Sequence, residues 1–156
     1  MNEFPQGKIL IVDDERTARY GMRKALNMLK AEVQEAEDGE EAQVRIAEFD
    51  PDVMVCDINM PKLNGLELLR RLSHAPITEK KLHVIVVTAF GSEKIAVEAM
   101  KAGAYDYLSK PYDIDELRLI VNKAAWKMKH ARVTALVDAL RLAAQPRDNV
   151  APPTGA

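Results

Sequence analysis

Apolar residues in this chain follow two patterns. Lys8-Ile9-Leu10-Ile11-Val12, Val53-Met54-Val55-Cys56 and His83-Val84-Ile85-Val86-Val87 are short apolar runs, as expected of strands buried on both faces. Glu32 to Ala36 alternates with Val33 inward and reads as an exposed edge strand. Ala104-Tyr105-Asp106-Tyr107-Leu108 reads as a fifth strand. Between the strands the apolar positions recur every three or four residues, as on one face of a helix. Arg16 to Leu29 keeps this spacing through Ala18, Met22, Ala25, Leu26 and Leu29, with Asp14 as candidate N-cap. Asp38-Gly39 reads as a turn before a second helix, Glu40 to Glu48, with Ala42 and Ile46 on one face; Asp50-Pro51 ends it. A third helix begins near Asn64-Gly65 and carries Leu66, Leu69 and Leu72, and Ser73 to Lys81 is a polar connection. Gly91-Ser92 opens a fourth helix through Met100, which Gly103 stops as the residue after the C-cap.

Five strand-then-helix units with short connections predict an α/β fold with a parallel sheet covered on both faces. Five units are too few to close a (β/α)8 barrel, so the sheet is open and doubly wound.

The last helical pattern starts near Asp113 and is unusually long. Leu117, Ile120, Val121, Ala124 and Met128 suit packing on the sheet, while Val133, Leu136, Val137 and Leu140 carry an apolar stripe on to about Ala144. Such a helix is on the order of 48 Å long, against a radius of gyration of about 14 Å for a domain of this size. Its second half therefore projects, and Trp126, Val133, Leu136, Val137 and Leu140 are suited to pairing with a second copy as a short coiled coil. The expected organisation is a disordered lead-in over residues 1–7, one domain over 8–125, a helical extension over 126–144, and a disordered linker or tail over 145–156 containing three prolines.

Composition narrows the function. The 156 residues carry a net charge of −2 with no long Lys/Arg block, so direct nucleic-acid binding is not expected. No apolar run approaches the ~20 residues of a membrane helix, and no secretory signal region opens the chain. Cys56 is the single cysteine. Within an apolar strand it suits a buried thiol in a reducing compartment, and a cytoplasmic location is expected.

Candidate chemistry gathers where the strands end: Asp13 and Asp14, then Asp57, Thr88 and Lys110. Taken singly, each has a plain structural reading as a cap, a strand residue or a solvated cation. In an open α/β sheet, however, all five fall on the carboxyl edge, where such folds bind ligands. Crowded carboxylates call for a cation, and an all-oxygen site fits Mg²⁺ or Mn²⁺. His74, His83 and His130 lack the ligand spacing of a zinc site. A divalent cation, an ammonium and a hydroxyl around one carboxylate suit phosphoryl transfer to that carboxylate.

These residues make the chain recognisable. Asp13-Asp14, the block Asp57-x-x-Met60-Pro61-x-x-x-Gly65, Thr88-Ala89 and Lys110-Pro111 stand in the order and spacing of the receiver domains of bacterial two-component response regulators, which the chain resembles over about Lys8 to Ala125. The run from Thr88 to Ser92 and that from Gly103 to Tyr107 look most like receivers of enhancer-binding transcription activators, although neither a Walker A motif nor a helix-turn-helix is present. The resemblance implies a flavodoxin-like sheet of strand order 2-1-3-4-5 and a phosphoacceptor at Asp57. It implies Mg²⁺ held by the carboxylates of Asp14 and Asp57 and the backbone carbonyl of Asn59, with Asp13 acting largely through water. Thr88 and Lys110 would contact phosphoryl oxygens, and small Ala89 would let its N–H approach them. Tyr107 would turn inward as Thr88 moves, and Lys110-Pro111 is a candidate cis peptide. The partners implied are a histidine kinase or phosphotransfer protein and an effector domain beyond the C-terminus. The product would be a switch that catalyses only its own phosphorylation and dephosphorylation.

The rival of another class is an aspartate-nucleophile phosphatase of the haloacid-dehalogenase kind. Such enzymes use a second Asp two residues after the nucleophile as general acid. Asn59 holds that position and has no proton to deliver. A nucleotide- or flavin-binding module would want a Gly-rich loop after the first strand, where Asp13-Asp14-Glu15-Arg16 instead repels phosphate.

Overall fold

Five parallel strands, β1 (Lys8–Val12), β2 (Glu32–Ala36), β3 (Val53–Asp57), β4 (His83–Thr88) and β5 (Asp106–Ser109), pair in the order β2-β1-β3-β4-β5. The computed structural model describes residues 7–60, 63–73, 82–89 and 92–144. Between the strands run α1 (Arg16–Leu26), α2 (Gly39–Phe49), α3 (Gly65–Ser73) and α4 (Glu93–Lys101), and α5 (Ile114–Ala144) follows the last.

Two hydrophobic layers explain why the central strands show no alternation. Ile9, Ile11, Val53, Val55, Ile85 and Val87 face one layer, with Met22 and Leu26 of α1 and Leu117, Val121 and Ala124 of α5. Leu10, Val12, Met54, Cys56, Val84 and Val86 face the other, with Ala42 of α2, Leu68 and Leu69 of α3 and Ala99 of α4. Successive side chains of one strand enter opposite layers, so both must be apolar. Each fully buried Leu, Ile or Val contributes about 1.5–3 kcal/mol. The polar pattern of β2 fits its place at the sheet edge, although Ala36 is buried as well as Val33.

Several boundaries differ from expectation for local reasons. Glu15, not Asp14, is the N-cap of α1, and it caps with no side-chain bond. The Asp13 carboxylate takes the N–H of Glu15 instead, at 2.8 Å. The α-helical part of α1 stops at Leu26, and Asn27–Leu29 tighten into a 3-10 turn. Gly39 is the first residue of α2, with Asp38 as its cap accepting from the Glu41 N–H. The Gly7 carbonyl accepts from the Glu32 N–H at 2.9 Å. Ser73 is the last residue of α3, and the Asn64 side chain caps that helix by accepting from the Glu67 N–H. Strand β5 starts at Asp106 because Ala104 still donates to the carbonyl of Ala99 in the turn that closes α4. Gly103 in that turn has φ 109°, a left-handed value that favours glycine.

Helix α5 runs 31 residues in one piece, about 46 Å. Leu117, Val121, Ala124 and Ala125 are buried, whereas Trp126, Leu136, Val137 and Leu140 are exposed. The lead-in over residues 1–6, Pro61, the connection over 74–81, Gly91, the tail over 145–156 and the side chains of Met128 and Val133 lie outside the described residues.

Candidate functional site

The crevice forms where strand order reverses. Strand β1 has β2 on one side and β3 on the other, so the connections leaving β1 and β3 pass to opposite faces of the sheet and leave a cleft at their carboxyl ends. Asp13 follows the last residue of β1, and Asp57 is the last residue of β3. Carboxylate oxygens of Asp13, Asp14 and Asp57 come within 4.8 Å of one another. Asp13 and Asp57 are buried, and Asp14 is exposed.

Asp57 is held at both oxygens. Its Oδ1 accepts from the backbone N–H of Asn59 at 3.0 Å, and its Oδ2 accepts from Lys110 Nζ at 3.2 Å. Behind it, Gly65 donates to the carbonyl of Ile58 at 3.0 Å. A Cβ on Gly65 would stand 2.5 Å from the carbonyl oxygen of Asp57, so only glycine allows α3 to start this close to the β3 end.

Lys110 reaches the pocket from across two strands because its backbone N–H is pinned to the carbonyl of Thr88 at 2.8 Å. Its Nζ lies 3.9 Å from Asp13 Oδ2. Burial depresses the Lys110 pKa, but the charge of Asp57 and the bond to it outweigh that and leave the pKa raised. The Lys110-Pro111 peptide is cis.

Thr88 is buried at the end of β4, one residue beyond Val87, the partner of Asp57 in the ladder. Ala89, next along, is exposed. Tyr107 pairs with Val86 across β4 and β5 and is 42% exposed. Asn59 is exposed, and an amide side chain at this position offers no acid for a phosphatase.

Asp13 shows what the pocket lacks by itself. Oδ2 is buried without a hydrogen-bond partner. Burial pushes the Asp13 carboxyl up to about 6, with the charge of Asp57 adding and the Glu15 N–H and Lys110 opposing. One ammonium does not offset three carboxylates. An all-oxygen donor set, two of it buried, with an orphaned oxygen aimed into it, fits a hard divalent cation such as Mg²⁺ or Mn²⁺. The neighbouring Cys56 thiol is wholly buried, and burial pushes its pKa up, so it stays protonated.

All the strand-end residues expected from the sequence thus converge on one edge. What sequence reading missed is the support around them: the Glu15 N–H on Asp13, and Arg19, whose Nη1 donates to the backbone carbonyl of Asp13 at 2.7 Å. Arg19 stands at a helical position with nothing in its spacing to mark it.

Comparison with known proteins agrees with this geometry. Residues 9–122 match the family of response regulator receiver domains. The regulatory protein AtoC of Escherichia coli is 41% identical over 118 residues, which are 75% of this chain and 25% of that protein. The response regulator MprA of Mycolicibacterium vanbaalenii is 42% identical over 110 residues, 70% of this chain and 46% of that protein. The chain spans less than half the length of these relatives. The crystal structure of a response regulator receiver domain protein from Clostridium thermocellum superposes with a TM-score of 0.72 at 34% identity, covering 80% of this chain and 98% of that one.

Proposed function

Because the chain belongs to the family of response regulator receiver domains, the modules that receive the signal in two-component systems, we propose that Asp57 is its phosphoacceptor. The observation that carries the reading is the setting of one carboxylate: Asp57 Oδ2 bonded to Lys110 Nζ at 3.2 Å, beside an Asp13 Oδ2 that is buried with no hydrogen-bond partner.

In this reading Asp57 attacks the phosphorus of a phosphohistidine on a kinase or phosphotransfer protein. A bond forms from a carboxylate oxygen to phosphorus, the phosphorus–nitrogen bond breaks, and its electron pair leaves with the donor imidazole. Asp14, Asp57 and the backbone carbonyl of Asn59 would hold Mg²⁺ or Mn²⁺, with Asp13 acting largely through water. The cation, when bound, supplies positive charge against the carboxylates and the incoming phosphoryl oxygens. Lys110 neutralises one phosphoryl oxygen, the Thr88 hydroxyl donates to another, and the Ala89 N–H approaches a third. The added charge of about −1.5 to −2 draws Thr88 inward, and Tyr107 turns into the space it leaves. Phosphorylation thereby biases the surface of α4, β5 and α5 between two arrangements.

The output is a protein contact, with catalysis limited to the domain's own phosphorylation and dephosphorylation. Candidate receivers of that output are an effector domain and a second copy paired through the exposed apolar residues of α5. A cytoplasmic location belongs to this reading, supported by the free buried thiol of Cys56. Among the described residues no helix is long and apolar enough to cross a membrane.

Intact-protein mass spectrometry with Mg²⁺ and acetyl phosphate tests the assignment. The wild-type chain gains one phosphoryl group and Asp57→Asn gains none; undiminished transfer in the variant overturns it.

A further inference from the structure

Arg19 lies on α1, six residues after Asp13, with its side chain only 12% exposed, against 40% for Arg23 one turn later. Both arginines bind the same carboxylate on β2. Arg19 Nε donates to Glu35 Oε1 at 3.1 Å, and Arg23 Nη1 donates to Glu35 Oε2 at 2.7 Å. Their other contacts separate them. Arg23 Nη2 donates to the carbonyl of Val33, within β2, at 3.0 Å. Arg19 Nη1 donates to the carbonyl of Asp13 at 2.7 Å. That carbonyl belongs to the peptide joining Asp13 to Asp14. Its orientation sets where the side chain of Asp14, an exposed residue, leaves the backbone.

We propose that Arg19 is a positioning residue for the divalent-cation site: its guanidinium, anchored on Glu35, locks the Asp13–Asp14 peptide so that the Asp14 carboxylate faces Asp57. The inference rests on the reading of the acidic pocket as a cation site. Its fork geometry matters because one planar group must reach a carboxylate on β2 and a carbonyl at the end of β1 at once, which a lysine ammonium does not do.

Two accounts of Arg19 give opposite signs. As a nearby positive charge alone, Arg19 repels Mg²⁺, so removing it tightens cation binding and Arg19→Lys leaves binding unchanged. As a positioning group, its removal frees the peptide and weakens binding, and Arg19→Lys weakens it too. Contacts that orient metal ligands are worth on the order of ten-fold or more in metal affinity.

The test is calorimetric titration of the full chain with Mg²⁺, for wild type, Arg19→Ala, Arg19→Lys and Arg23→Ala, each first shown by thermal unfolding to be folded at the titration temperature. Expected are about ten-fold weaker binding for both Arg19 variants and near-wild-type binding for Arg23→Ala, which loses an equal share of Glu35 but no contact to Asp13. Should Arg19→Ala fail to fold, Arg19→Lys against Arg23→Ala decides alone. Tighter or unchanged binding in the Arg19 variants overturns the proposal, as does an equal loss in Arg23→Ala. Absence of saturable Mg²⁺ binding by the wild type would instead overturn the reading of the pocket itself.

Discussion

Lys110 Nζ stands 3.2 Å from Asp57 Oδ2, a bond between residues separated by 53 positions in the chain. The same nitrogen lies 3.9 Å from Asp13 Oδ2. A single ammonium therefore serves two buried carboxylates, which is a cation's place in a pocket with a net negative charge.

Replacing Lys110 separates its two effects. Lys110→Ala removes a positive charge that competes with a divalent cation, so Mg²⁺ binding should tighten by at least about two-fold. Beryllofluoride, a mimic of the phosphoryl group, should bind more weakly, because one of its neutralising partners is gone. Parallel titrations measure both, and a fall in both affinities would show that Lys110 holds the pocket's shape rather than its charge.

The acidic pair should divide unequally. Exposed Asp14 is the proposed direct ligand and buried Asp13 the indirect one, so Asp14→Asn should weaken Mg²⁺ binding more than Asp13→Asn. NMR-monitored titration ranks them. The reverse ranking would exchange their roles.

Asp13 also makes cation-free stability depend on pH. Its folded carboxyl is raised from 3.8 to about 6. Between those values the folded state keeps a proton that the unfolded state has lost, so stability falls as pH rises. Below about pH 4 the cost is absent, and above about pH 6 it is fully present, on the order of 3 kcal/mol. Mg²⁺ binds the ionised carboxylates and should restore stability mainly above pH 6. Urea unfolding across this range, with and without Mg²⁺, gives the slope, and Asp13→Asn should flatten it.

Gly65→Ala places a methyl 2.5 Å from the carbonyl oxygen of Asp57 and 2.8 Å from Ile58 Cα. Both neighbours are backbone, so relief requires moving the segment that carries Asp57, the proposed phosphoacceptor. A loss of about 1–3 kcal/mol is expected, with slower phosphorylation of the protein that remains folded. Denaturant unfolding and the rate of acetyl phosphate labelling report the two effects.

Beyond Ala125, Leu136 and Leu140 are each 61% exposed. If they form a seam between copies, light scattering should show the full chain associating at roughly 100 µM and a chain ending at Ala125 remaining monomeric. Beryllofluoride should favour the pair. A full chain that stays monomeric in both states would leave the stripe to an effector domain.

The fold and the membership of the pocket were legible in the residues themselves. A strand buried on both faces has to be apolar at every position, so β1, β3 and β4 stand out as runs. Strands of one parallel sheet all end on the same edge, so Asp13, Asp57, Thr88 and Lys110 fall on that edge once the five units are recognised. Local bonding decided what pattern alone does not carry. Asp14 looks like an N-cap, but Asp13 takes the Glu15 N–H, leaving Asp14 free at the cleft. Ala104 and Tyr105 suit a strand, but the turn that closes α4 claims Ala104. Only packing in three dimensions showed that Gly65 touches the backbone of Asp57 and that Arg19 reaches the carbonyl of Asp13. Periodicity records which face of an element is buried, since burial acts on every turn or alternate residue. A single hydrogen bond between distant segments leaves no repeating trace, so the tertiary structure alone decides it.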